Sequence, residues 1–435
     1  NQTDRALAGL RAAIADGGLE PGAKLPSTRA LAERLGLRRN AVVAAYEHLL
    51  NEGLIETRRG AGSFIAARLP GPAVPTVAAP VALPPDAMSP DAMPPAAAPW
   101  RPFALGYAHP DPAMLNRLAT HLRRRMATAD AADAGYGDPR GGTHLRQRIA
   151  RHLAANRGVR CDADCVFLTA GTQHGLRLCA DALIAPDARL GAPLGAEVWV
   201  EDPGYFAAHA TLRAAGLTPV AVAVDDEGLD VAAGVRLAPR AAAAYVTPSH
   251  QFPTGVAMTM RRRLALLDWA ADAGAWIIED DYDSEFRFAG PPLTALAGLG
   301  GERTLYVGTF SKTLFPGLRL GYLVAPPAAL PRLAAARAAI DRFPPAFMQD
   351  AVADFMAEGG YDAHLRRLRR RYLQARDAVA AALLESAEGA LRLPVPPQGL
   401  HMVATLPAGS APGAAAAIRA AANVECKLLS DTRLV

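Results

Sequence analysis

Between Pro70 and Pro99 the chain carries ten prolines and nine alanines in 30 residues. Proline fixes φ and offers no amide hydrogen, so such a stretch can continue neither a helix nor a central strand. It reads as a semi-rigid, extended linker. It therefore divides the chain into three: residues 1–69, the linker 70–99 and residues 100–435. The full length of 435 residues suits two to four domains of about 100–200 residues each. A core of ordinary size needs no disulfide or metal staple at that length.

The remaining composition excludes more than it assigns. No stretch approaches the roughly 18 consecutive apolar residues of a membrane span. The opening NQTDRALAGLRAAI lacks the charged-then-apolar pattern of a secretion signal, so a cytoplasmic protein is expected. Its first residue is Asn1, not Met, which places the expected start further upstream. Four cysteines make no disulfide framework, and no second Cys or His pair completes a zinc set around Cys161 and Cys165. Reduced thiols and no structural metal are expected. The net charge of +4 permits a nucleic-acid partner. Residues 1–69 hold ten Arg or Lys against seven Asp or Glu, so most of the excess sits there.

Only three of the 46 basic residues are lysines: Lys24, Lys312 and Lys427. Such pressure against Lys makes a retained one informative. Arg stays protonated, whereas Lys can lose its proton and form a Schiff base.

In residues 1–69, Leu7, Leu10, Ile14 and Leu19 give an amphipathic helix broken by Gly17–Gly18. Ser27 is a candidate N-cap for a second helix, with Leu31, Ala32 and Leu35 facing inward and Gly36 ending it. A third helix starts near Arg38 and runs through Val42, Val43, Tyr46 and Leu49 to Gly53. LIETRRGAGSFIA then supplies two short strands around Gly60–Gly62, a wing. Helix, helix–turn–helix and wing form a DNA-binding layout. Arg38, Arg39 and Asn40 at the start of the third helix suit bases, since Arg grips guanine and Asn adenine bidentately. LEPGAKLPSTRALAERLGLRRNAVVAAYEHLLNEGLIETRRGAGSFIA resembles the winged helix-turn-helix of the GntR family of bacterial regulators. That resemblance implies phosphate contacts from Ser27 and Arg29. It places Arg38, Arg39 and Asn40 on the recognition helix. It sends Arg58, Arg59 and the Gly60–Gly62 tip into the minor groove. Ala41 departs from the family's frequent Thr.

From Trp100 onward, helical patterns alternate with the apolar runs Val166–Thr169, Glu197–Val200, Ala243–Val246, Trp276–Ile278 and Thr304–Val307. This predicts an α/β domain with a parallel sheet and helices on both faces. Lys312 lies just past such a run in TLYVGTFSKTLFPGLRLGYLV, where open α/β sheets bind ligands. Thr309, Ser311 and Arg319 accompany it. An amine, hydroxyls and a guanidinium suit a phosphorylated aldehyde. In WIIEDDYDSEFRF a strand runs into Glu279, Asp280, Asp281, Tyr282 and Asp283. A carboxylate there can pair with a protonated pyridine nitrogen and a tyrosine with the ring's phenolic oxygen; Mg²⁺ binding is the alternative. VFLTAGTQHGLRLCADAL opens a helix at Gly171–Gln173, a phosphate-binding geometry.

These pieces, with YGDPRGGTHLRQRIARHL, VEDPGYF, YVTPSHQFPTG and PQGLHMVATL, resemble fold-type-I aminotransferases. Joined to the GntR-like head, the chain resembles the MocR-type subfamily of regulators, whose sensor is an aminotransferase-like domain holding pyridoxal phosphate. The resemblance implies that Lys312 forms the Schiff base, Asp280 pairs with the pyridine nitrogen and Tyr282 with the ring oxygen. It has Tyr205 stack on the ring, the alternative being a packed aromatic, and Gly171, Thr172, Gln173, Thr309, Ser311 and Arg319 cradle the phosphate; His174 is either near the ring or a helix-surface histidine. It also implies a head-to-tail homodimer on a double-stranded DNA operator, sensing an amino compound or the cofactor itself. Phe252 stands where aminotransferases usually carry Asn, which favours sensing over turnover. The family continues into a strand bearing an Arg for a ligand carboxylate; Arg419 and Arg433 are poor substitutes, so either the C-terminus is truncated or the ligand is read differently. The rival readings are an active aminotransferase with a vestigial head, and a DNA-binding protein whose sensor holds no cofactor.

Overall fold

The computed structural model describes residues 2–58, 60–69, 102–106, 108, 111–131, 133–184 and 192–434. The expected linker and Arg59 lie outside the described residues. The chain divides into two compact units, Asn1–Pro84 and Pro85–Val435.

The first unit contains α1 (Gln2–Ala15), α2 (Thr28–Leu35), α3 (Arg39–Asn51), β1 (Ile55–Arg58) and β2 (Gly62–Ile65). Ser27 caps α2, its hydroxyl accepting from the Ala30 amide at 3.2 Å. Gly36 ends α2 at φ 62°, with its amide reaching the Ala32 and Glu33 carbonyls; only a residue without Cβ takes that conformation at no steric cost. One face of each helix closes a common core of Leu10, Ile14, Leu31, Val42, Tyr46 and Leu49 with Ile55 and Ile65 of the hairpin. The antiparallel strands put Ile55 opposite Ile65 and Arg58 opposite Gly62. Each fully buried Leu or Ile there contributes about 1.5–3 kcal/mol. Leu35 corrects the expectation of an inward face: though on the stripe of Leu31, it is exposed at the last position of α2.

The second unit runs α4 (Pro112–Ala127), α5 (Thr143–Arg157), β3 (Val166–Thr169), α6 (Thr172–Leu183), β4 (Glu197–Asp202), α7 (Phe206–Ala214), β5 (Thr218–Asp225) and β6 (Gly228–Leu229). It continues through α8 (Val231–Leu237), β7 (Ala243–Val246), α9 (Met260–Ala273), β8 (Trp276–Asp281), α10 (Leu296–Gly300), β9 (Thr304–Thr309) and β10 (Gly321–Val324). The helices α11 (Leu330–Ile340), α12 (Ala346–Ala357), α13 (Gly360–Ala387) and α14 (Ala414–Ala421) follow. Among the described residues eight strands form one sheet in the order β3-β10-β9-β8-β7-β4-β5-β6. Apolar residues of α6 and α7 pack with Phe167, Val200 and Ile278. Another cluster joins Leu266 and Trp269 of α9 to Trp199, Ala244 and Ile277, with the Trp199 and Trp269 rings stacked 3.6 Å apart.

The sheet is mixed, which corrects the expected all-parallel arrangement. β10 runs antiparallel to both β3 and β9, and β6 antiparallel to β5. A parallel return needs a crossover of a dozen or more residues. Only residues 310–320, with a short 3₁₀ turn, join β9 to β10. That short return carries Ser311, Lys312 and Arg319 back across the sheet's end. The expected strands were also cut short: β4, β8 and β9 extend through Asp202, Asp281 and Thr309. Their polar ends continue the pairing because each finds a partner.

Candidate functional site

The C-terminal ends of the parallel strands converge on one edge, the usual ligand position of an open α/β sheet. Lys312 is half-buried there, and its Nζ donates to the Gly106 carbonyl at 3.1 Å. Burial pushes the lysine's pKa down, and the charges of Asp283 and Asp280 oppose the shift.

Successive side chains of β8 point to opposite faces. Glu279 accepts from the Leu296 and Ala297 amides at 2.9 and 3.0 Å, capping α10. Asp281 accepts from Arg157 Nε at 2.8 Å and from the Tyr306 hydroxyl at 2.5 Å. Those partners engage both oxygens of Glu279 and Oδ2 of Asp281, while Asp281 Oδ1 has no partner among the described residues. Asp280, 3% exposed, faces the other way. Its Oδ2 accepts from the Tyr245 hydroxyl at 2.7 Å, while Oδ1 is buried without a partner among the described residues. Burial pushes its carboxyl up to about 7, against the Tyr245 hydrogen bond and helped by the neighbouring Asp281 and Glu201 charges.

The Tyr282 hydroxyl donates to the His250 carbonyl at 2.9 Å, so its proton is engaged and a lone pair is what it can offer elsewhere. Tyr205 is half-buried and accepts from Gln173 Nε2 at 3.3 Å. Gln173 Oε1 in turn accepts from Thr211 Oγ1 at 2.7 Å. The Tyr205 and Phe252 rings meet edge-on at 5.7 Å. Gly171 stands before α6 at φ 92°, and a Cβ there would lie 3.4 Å from Arg319 Nη1. A bare backbone at a helix start, facing a guanidinium, is suited to an anion. Thr172 opens α6 beside it. Thr309 Oγ1 donates to Ser311 Oγ at 3.0 Å and accepts from the Ser311 amide at 3.1 Å. His174 Nδ1 accepts from the Ala170 amide at 3.0 Å.

Several residues of this edge escaped the sequence reading. Tyr245 sits in the buried run Ala243–Val246, where a hydroxyl needs a partner; that was a usable signal. Glu201 is buried and accepts from Thr247 Oγ1 at 2.5 Å and Gln251 Nε2 at 3.2 Å. Burial pushes it up to about 7. Arg157 gave no signal at the end of its helix.

In the first unit, Ser27, Arg29, Arg38, Arg39, Asn40, Arg58, Gly60 and Gly62 are all exposed. Arg38 is the N-cap of α3, and Arg39 and Asn40 open it. Arg58 pairs with Glu56 at 2.5 Å and lies over the Phe64 ring at 4.4 Å.

Comparison with known proteins defines the class. Residues 107–427 match the aminotransferase class I and II family, and residues 2–65 match the bacterial regulatory proteins of the gntR family. The chain is similar to the probable rhizopine catabolism regulatory protein MocR of Rhizobium meliloti, with 36% identity across 86% of this chain and 75% of that one. It is 35% identical to the pyridoxine biosynthesis transcriptional regulator PdxR of Corynebacterium glutamicum, across 91% of this chain and 81% of that one. Among solved structures it resembles LysN, an alpha-aminoadipate aminotransferase from Thermus thermophilus complexed with N-(5'-phosphopyridoxyl)-L-leucine. That match has a TM-score of 0.62 and 29% identity, covering 72% of this chain and 78% of that one. The chain belongs to the MocR-type transcriptional regulators, which join a GntR helix-turn-helix domain to a fold-type-I aminotransferase domain. No helix among the described residues is long and apolar enough to cross a membrane.

Proposed function

We propose that this regulator is cytoplasmic, binds pyridoxal phosphate at the sheet edge and acts as a head-to-tail homodimer on a double-stranded DNA operator. Residues 1–69 form the DNA-binding head, 70–99 the linker and 100–435 the sensor. The observation that carries the cofactor is the unpartnered Asp280 Oδ1. A buried carboxylate oxygen without a donor is costly, and a protonated pyridine nitrogen would supply the missing donor. The open backbone at Gly171 and the lowered pKa of Lys312 fit the same group.

When bound, the cofactor supplies an electrophilic aldehyde carbon on an electron-withdrawing ring. Lys312 would hold it covalently. Burial that disfavours the ammonium leaves the amine free to attack. Asp280 would fix the ring nitrogen, and Tyr205, held by Gln173, would cover the ring face. Thr309, Ser311, Arg319, Gly171 and Thr172 would take the phosphate. Gln173 would stand with them at the phosphate and also steady Tyr205, and Tyr282 would meet the ring oxygen. An amine that displaces Lys312 changes a protein–ligand bond, which is the differential free energy a ligand-driven shift requires. The domain thus senses an amino compound or the cofactor itself, without turnover as its role. In the head, Ser27 and Arg29 take phosphates, Arg38, Arg39 and Asn40 read bases, and Arg58, Arg59, Gly60 and Gly62 approach the minor groove.

Borohydride reduction and peptide mapping test the reading. The label is expected on Lys312 and absent from the Lys312→Ala protein. Label on Lys24 or Lys427 would displace the site.

A further inference from the structure

One buried cluster beside the cradle takes no part in holding the cofactor. His250 follows β7, Asp283 follows β8, and His401 comes from the chain between α13 and α14. His250 Nδ1 and Asp283 Oδ2 lie 2.8 Å apart, and the Leu400 amide donates to the same oxygen at 3.0 Å. A carboxylate can only accept, so Nδ1 carries a proton, and in the neutral ring Nε2 is then the nitrogen with a lone pair to offer. His250 is 2% exposed, and its Nε2 meets no partner among the described residues. His401 Nε2 is buried and unpartnered in the same way.

The two orphan nitrogens border one small space. A Cβ built on Gly255 would lie 3.3 Å from His250 Nε2 and 4.0 Å from His401 Nε2. Gly399 lies so close that a Cβ on it would stand 1.9 Å from His250 Cε1. Glycine at both places lets the backbone come up against the rings. A nitrogen of each histidine and an Asp283 oxygen fall within 4.8 Å of one another.

We propose that His250 and His401 form a site for a divalent transition-metal ion, with Asp283 fixing the His250 tautomer that presents Nε2 to it. Two imidazole nitrogens select zinc, nickel or copper over magnesium and calcium, which prefer oxygen. A carboxylate on the far nitrogen is the usual support of a metal-binding histidine. The His250 and His401 ring centroids are 4.3 Å apart, and nitrogens bonded to zinc stand about 2.0–2.1 Å from it. Two protein nitrogens leave coordination positions open to water or to a ligand. The site borders the cradle, because the Phe252 ring lies 5.7 Å from His401 and the Tyr282 hydroxyl 3.3 Å from His250 Nδ1.

The test is titration of the full-length, tag-free chain with Zn²⁺ by calorimetry and with Co²⁺ by visible absorption. One ion per chain is expected. His401→Ala should abolish uptake, and Asp283→Asn should weaken it by about 10–100-fold. Lys312→Ala should leave uptake unchanged, which separates this site from the cofactor's. His401 is only half-buried, so its variant remains informative if a His250 variant fails to fold. Equal uptake by the parent chain and His401→Ala overturns the proposal. A thiolate-to-cobalt charge-transfer band, which would point to the cysteines, overturns it too. So does a chain that takes up no ion, its two nitrogens bridged by water alone.

Discussion

The two units of this regulator hold their candidate contacts in opposite ways. The head places Arg29, Arg38, Arg39 and Asn40 outside its core, exposed and on helix ends. The sheet edge holds Asp280 and Thr309 inside, with Asp280 Oδ1, Asp281 Oδ1 and two histidine nitrogens lacking partners among the described residues. An exposed contact adds nothing to folding, so it can be removed with little effect on stability. A buried one is woven into hydrogen bonds that also hold the fold. Substitution should therefore separate binding from stability in the head and entangle them at the sheet edge.

The largest expected effect tests that entanglement. Asp281 and Asp280 are neighbours with different partners. Asp281→Ala removes the carboxylate facing the buried Arg157. Stranding a buried charge costs about 3–5 kcal/mol, read as a lowered denaturant midpoint. Asp280→Ala loses less stability, yet should lose more cofactor. Equal cofactor content in the two purified proteins would break the distinction.

Asp280 should also make the cofactor-free protein sensitive to pH. Its carboxyl sits at about 7 when folded, against about 3.9 in an unfolded chain. The folded state therefore binds the extra proton between those values, and stability falls as pH rises from about 4 to 7. Glu201 adds the same sign. Asp280→Asn should flatten part of this slope and stabilise the cofactor-free protein at pH 7. An unchanged slope would mean that Asp280 does not titrate there.

In the head the corresponding substitution should touch binding alone. Arg39→Ala should cost about 1–3 kcal/mol on a specific duplex and relax preference at one position. Its effect on stability should stay within about 0.5 kcal/mol. Comparable losses on specific and scrambled duplexes would remove Arg39 from the base-reading set.

What was legible in the sequence follows the same division. The head was readable because its signals are local: a capping Ser27, a left-handed Gly36 and periodic Leu10, Ile14, Val42 and Leu49. The lysine return was readable because lysine is scarce in this chain. Less visible were features that depend on partners distant in sequence. Nothing near Asp280 indicates that Tyr245, 35 residues earlier, takes one of its oxygens. Nothing near His250 indicates His401. The antiparallel β10 was missed because an apolar run carries no direction; only the length of residues 310–320 does.

The smallest expected effect is the sharpest test of the head, because one residue there crosses the division. The Ser27 hydroxyl accepts from the Ala30 amide as the cap of α2, and it is also the expected phosphate contact. A hydroxyl can do both, since its lone pair serves the amide while its proton remains for a phosphate oxygen. Ser27→Ala removes both roles and should cost about 1 kcal/mol of stability together with some DNA affinity. Ser27→Asp separates them. A carboxylate caps a helix as well as a hydroxyl does and suits the positive end of its dipole, so stability should be kept. It has no proton to donate and repels phosphate, so affinity should fall on specific and scrambled duplexes alike, most strongly at low salt. Thermal melts with salt-resolved DNA titrations of the two variants decide the matter. If Ser27→Asp keeps both stability and affinity, Ser27 is a cap only, and the supporting helix meets the duplex elsewhere.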